Sequence, residues 1–110
     1  MGRYITTVGT AGTTTREIST TFSASVNDRI LANTASSAYT ITLPANSGFL
    51  VSDTIQIIDI SNNAGSNNLT IGRNSSKING ASEDLTIDVS GAIVSLIYTG
   101  STYGWVVGAV

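Results

Sequence analysis

Alternation with a period of two constrains this chain more than any other feature. In Ala38-Tyr39-Thr40-Ile41-Thr42-Leu43-Pro44, Tyr39, Ile41 and Leu43 fall on one side, and Thr40 and Thr42 on the other. That is the pattern of a half-buried strand, stopped by a proline with no N–H to give to a ladder. Asp84 to Val89 repeats it with Asp84, Thr86 and Asp88 turned outward, and Asn68-Leu69-Thr70-Ile71 is a shorter copy. Asn62 to Asn67 suits a loop, Asn79-Gly80 is the dipeptide of a two-residue type I′ hairpin, and Gly100 to Gly104 makes a tip. No stretch of twelve residues carries helical periodicity. These signals predict an all-β fold, a small antiparallel β-sandwich or barrel-like module of about eight short strands. The module is expected over residues 28–110, behind an extended N-terminal arm over residues 1–27.

Three segments break the alternation by being apolar on both sides. Thr54 to Ile60 sets Ile55 and Ile57 against Ile58 and Ile60, and Ile93 to Tyr98 and Trp105 to Val107 behave alike. A strand apolar on both faces sits in a layered core or has its outer face covered. One small domain is hard pressed to bury three such strands twice. The simplest cover is another copy of the chain, and Ile58, Ile60, Val94, Leu96, Trp105 and Val107 are the expected interface residues. A compact monomeric sandwich with Ile-rich inner strands is the competing reading.

Positions 6 to 25 hold eight Thr and three Ser but few large apolar residues. Thr suits a strand, yet such a stretch makes no core by itself. It reads as an arm paired at a sheet edge or laid on a neighbour, with Arg3, Tyr4, Ile5 and Val8 as docking residues, or else as a disordered tail.

Composition decides most of the chemistry. Charged residues are 11% of the chain, whereas 16 Thr, 15 Ser and 9 Asn supply neutral polarity. With no Cys there is no disulfide, thiolate nucleophile or Cys-based metal site, and with no His the commonest general base and metal ligand are gone. The net charge of −2, with five scattered cations, argues against nucleic acid. No apolar run is long enough to span a bilayer, and the N-terminus lacks the apolar segment of a signal peptide. Glu83 and Asp84 are adjacent and would point to opposite faces of a strand, so paired-carboxylate chemistry fails; Asp53, Asp59, Asp84 and Asp88 read as solvated edge charges. Asp59, Ser61 and Asn63 alternate like a calcium loop, but Gly65 is displaced by one and Thr70 stands where the bidentate Glu belongs. The expectation is a non-enzyme with no cofactor and no metal. Tyr98, Tyr103 and Trp105 cluster at the Gly100–Gly104 tip; Tyr98 and Tyr103 could face a receptor or glycan, while Trp105 reads as a buried anchor.

One resemblance spans about three quarters of the chain. Asn27-Asp28-Arg29-Ile30-Leu31-Ala32-Asn33, Tyr39 to Pro44, Asp53 to Asp59, Asn68 to Asn74, Lys77-Ile78-Asn79-Gly80, Leu85 to Asp88, Val94 to Tyr98 and Tyr103-Gly104-Trp105 follow one another at short spacing. This ordered set resembles small β-rich modules of tailed-bacteriophage virions, found in head-decoration and tail-fibre proteins. The resemblance implies a structural protein, commonly trimeric, assembled in the host cytoplasm and carried on the virion. Its partners would be itself, the major capsid protein or tail proteins, and a host surface glycan in the fibre version. At 110 residues the chain is shorter than a fibre with attachment domain, shaft and receptor tip. An accessory protein that decorates or reinforces capsid or tail is therefore the leading expectation, and a tail- or head-fibre component in host recognition the alternative.

Overall fold

The computed structural model describes residues 13–45 and 51–109. Among them are nine strands: β1 (Thr14–Ile18), β2 (Phe22–Ser23), β3 (Asp28–Ala32), β4 (Tyr39–Thr42), β5 (Thr54–Asp59), β6 (Leu69–Gly72), β7 (Leu85–Ile87), β8 (Ile93–Tyr98) and β9 (Trp105–Ala109). They form a five-stranded sheet in the order β1-β3-β5-β8-β9 and a four-stranded sheet in the order β2-β4-β6-β7. The chain is all-β.

Strand direction departs from the antiparallel expectation. β1 runs parallel to β3, β3 to β5, β2 to β4, and β4 to β6. Antiparallel pairing is confined to β5–β8, β6–β7 and β8–β9. The cause is the path of the chain. It lays a strand in the larger sheet, crosses to the smaller one and returns, three times over, so each coil stacks on the last in the same direction. Both sheets end in edge strands, so the module is a two-sheet sandwich wound as a three-coil solenoid, with no barrel closure.

Threonine-rich sequence is built into this solenoid. β1 pairs along its whole length with β3, and Phe22 and Ser23 of β2 pair with Ile41 and Thr42. The boundary expected at residue 28 therefore falls inside the fold, and the described part of the arm is an edge coil. Its hydroxyls lie at exposed edge positions, while Ile18 and Phe22 pack against the core.

The inner faces carry apolar rows across the strands. Ile30, Ile57 and Val94 are neighbours in one sheet; Tyr39, Leu69 and Ile87 are neighbours in the other, beside Ile41 and Ile71. All are buried, and Trp105 is fully enclosed with its ring edge-on to Tyr98 at 5.3 Å.

Two turns follow their local chemistry. Asn79 and Gly80 have φ of 51° and 79°, and Ile78 and Ala81 exchange backbone hydrogen bonds of 3.0 Å across them, the type I′ geometry expected of the dipeptide. Gly104 has φ of 72°. A Cβ there would run into the Lys77 carbonyl, which accepts the Trp105 N–H.

Candidate functional site

Asp59 was expected at the surface and is instead buried, with 5% of its area exposed. Its Oδ1 accepts from the Thr34 hydroxyl at 2.7 Å, and Oδ2 from the backbone N–H groups of Ala64 and Gly91, each at 2.9 Å. Around it, the Thr34 N–H donates to Ser61 Oγ, Asn67 Nδ2 to the Thr34 carbonyl, and Asn68 Nδ2 to the Ala64 carbonyl. Burial acts to raise the Asp59 pKa, but the hydrogen bonds from Thr34 and the backbone of Gly91, Ala64 and Asn62 outweigh it and hold the carboxyl below its ordinary value. The alternation that imitates a calcium loop thus knits three loops together through protein donors. Among the described residues, no three Asp or Glu side chains gather into a metal-binding group.

The six expected interface residues divide between two faces. Val94, Leu96 and Trp105 point inward and lie in the chain's own core, at 6%, 0% and 0% exposure. They cannot meet a neighbouring copy while this fold is kept. Val107 is half-buried and packs on the same core. Ile58 is half-buried on the outer face of the five-stranded sheet, and Ile60, just beyond β5, is exposed. Sequence reasoning could tell that β5 and β8 have two apolar faces, but it could not tell which face a single chain would cover.

That outer face carries residues the expectation missed. Leu31, Ile58 and Ile93 form a row across β3, β5 and β8, and Ile97 and Val106 form a pair across β8 and β9. Ile97 and Val106 are 43% and 39% exposed. Between row and pair runs a polar line of Arg29, Gln56 and Ser95, with Arg29 Nε donating to Gln56 Oε1 at 3.1 Å. The outer face of the smaller sheet is unlike it. Thr40, Thr70 and Thr86 stand side by side across β4, β6 and β7, with Thr42 beside them on β4. One broad face carries apolar residues on either side of a polar line, and the other is hydroxylated.

At the β7–β9 end the two sheets part into an open groove of about 390 Å³, lined by Leu85, Ile87, Val89, Ala92, Ile93 and Val107. The tip residues also separate. Tyr98 is buried against Trp105, whereas Tyr103 is 62% exposed. Tyr98 is therefore no receptor-facing residue. Arg3, Tyr4, Ile5 and Val8 lie outside the described residues. No family model and no curated protein matches this chain.

Proposed function

We propose that this chain is a structural subunit that assembles with copies of itself, as a homotrimer, and serves as a small accessory protein decorating or reinforcing the capsid or tail of a bacteriophage particle. The observation that carries the assembly is the apolar outer face of the five-stranded sheet. Ile60, Ile97 and Val106 are exposed there beside half-buried Ile58, while the hydroxyl-lined face opposite is suited to water. A second copy of the chain is the partner proposed to cover this face, and in a ring of three it would do so with a different patch of its surface. The phage assignment is supported by the ordered succession of segments from Asn27 to Trp105 and by a composition of neutral hydrogen-bonding residues in place of charges.

Light scattering on the purified protein at micromolar concentration tests this reading. The expected mass is three times that of one chain, and a monomer would overturn the assembly. Binding of the purified protein to virions lacking it tests the second part, and no attachment to head or tail would overturn the decoration role. A receptor-facing tip is the second reading, and exposed Tyr103 favours it; adsorption to host cells that is lost in Tyr103→Ala would support that reading instead.

A further inference from the structure

We propose that Asn79 is a self-modification site, deamidated by the Gly80 nitrogen at a rate set by opening of the contact between this turn and Tyr103. Of the nine asparagines in the chain, Asn79 alone is followed by glycine. Glycine has no side chain to crowd its own nitrogen, so this dipeptide leaves the backbone free to attack the neighbouring amide.

The reaction needs only water. The Gly80 nitrogen attacks Asn79 Cγ; the N–Cγ bond forms, the Cγ–Nδ2 bond breaks, and Nδ2 leaves as ammonia with the former Gly80 proton. Water then adds to the cyclic imide. Opening at Cγ gives aspartate, and opening at the main-chain carbonyl of residue 79 gives isoaspartate, whose main chain runs through Cβ and Cγ.

In the folded chain the participating groups are held. The Gly80 N–H donates to the Tyr103 carbonyl at 2.8 Å, which shields from base the proton that the nitrogen must lose. Asn79 Oδ1 accepts from the Val107 N–H at 3.0 Å, and the Asn79 N–H donates to the Trp105 carbonyl at 2.7 Å, so the residue is pinned to β9. A Cβ on Gly80 would stand 3.3 Å from Tyr103 Cδ1, so the Tyr103 ring lies against the turn. Tyr103 is itself exposed, in the Gly100–Gly104 tip. Exposed tips open more readily than the core, so Gly80 is freed by a local opening.

Loss of the amide acts on a sheet edge. β9 is the terminal strand of the larger sheet, and Asn79 caps it through Val107 and Trp105. Isoaspartate lengthens by one carbon a turn whose flanks, Ile78 and Ala81, exchange hydrogen bonds of 3.0 Å. The type I′ geometry cannot absorb that carbon, so the cap is lost and the β9 edge is opened to a further strand.

The test incubates the full chain in neutral buffer, with and without enough urea to unfold it. Mass spectrometry of the peptide carrying residue 79 reads replacement of NH2 by OH. In urea Asn79 is expected to react before any other asparagine, and in the folded chain at least about tenfold more slowly. Equal rates in the two conditions would overturn the gating, and reaction of another asparagine ahead of Asn79 in urea would overturn the site. In urea too dilute to unfold the chain, Gly80 amide exchange and Asn79 loss should rise by the same factor. Exchange that rises while loss stays flat would overturn the link to opening. Tyr103→Ala, which removes the ring and keeps the carbonyl, should speed loss in the folded chain about threefold or more. An unchanged rate would overturn Tyr103 as the gate.

Discussion

Gly104 and Trp105 stand next to each other and hold the C-terminal hairpin by opposite means. Gly104 is needed for what it lacks, because its backbone is left-handed and a Cβ would strike the Lys77 carbonyl. Gly104→Ala should therefore cost about 2 kcal/mol or more in urea unfolding. Trp105 is needed for its bulk, and Trp105→Ala should cost about 3–5 kcal/mol in the same assay. Asn74 and Ser75 hold φ of 49° and 73° in the tight turn closed by the Ser76 N–H on the Arg73 carbonyl. Ser75→Gly relieves a left-handed serine and should raise stability by about 0.5–1 kcal/mol. Two buried groups set the pH limits. Burial, then the nearby Asp59 carboxylate, pushes the Tyr39 hydroxyl up from 10.0 to about 12, and this hydroxyl donates to the Asn33 carbonyl at 2.9 Å. The unfolded chain would release that proton near its ordinary pKa while the folded chain keeps it. Stability should thus decline between pH 10 and about 12, and Tyr39→Phe should flatten the decline. Asp59 works in the other direction. Its contribution is present above 3.8 and is lost as pH falls through its lowered folded value, a loss absent in Asp59→Asn. Unfolding midpoints measured across pH for the three proteins check both limbs.

At the scale of elements, the strands with alternating sequence were legible and their directions were not. Tyr39–Thr42, Thr54–Asp59, Leu69–Gly72, Leu85–Ile87, Ile93–Tyr98 and Trp105–Ala109 all fall where period two or an apolar run places them. A strand alternates identically whether its neighbour runs up or down, so parallel winding leaves no mark on any one segment. β1 and β2 carry no apolar period, although their Thr-rich stretch reads as suited to a sheet edge: as edge strands they bury little, so Thr, Arg and Glu are tolerated there. Asp59 was misread because a carboxylate between two Ile-rich stretches looks like a surface charge unless its donors, distant in sequence, are known. The Asn79-Gly80 turn was readable because its chemistry is local. Replacing both residues by Ala, where both φ are positive, should cost about 2–4 kcal/mol in urea unfolding.

For the whole molecule, the unlike outer faces give the assembly a direction. If the apolar face of the larger sheet joins the subunits, Ile58→Asp and Ile97→Asp together should reduce the light-scattering mass to one chain while circular dichroism still reports β structure. Half-buried Ile58 and exposed Ile97 both lie on the outward rows, so these changes spare the inward ones. With few charges on the chain, the assembled mass should hold from about 0.05 to 0.5 M salt, since screening acts on exposed charges. A dissociation driven by salt would point to the Arg29–Gln56 line in place of the isoleucines.

The pairing directions also bear on synthesis. β8 and β9 form a hairpin, which is quick to close, but β3 must find β5 across an intervening crossover and β1 can only wind onto β3. The N-terminal turns leave the ribosome first, before the strand that templates them exists. A nascent chain stalled short of β5 would thus be protease-sensitive throughout, and it would harden in one step once the residues up to Asp59 emerge.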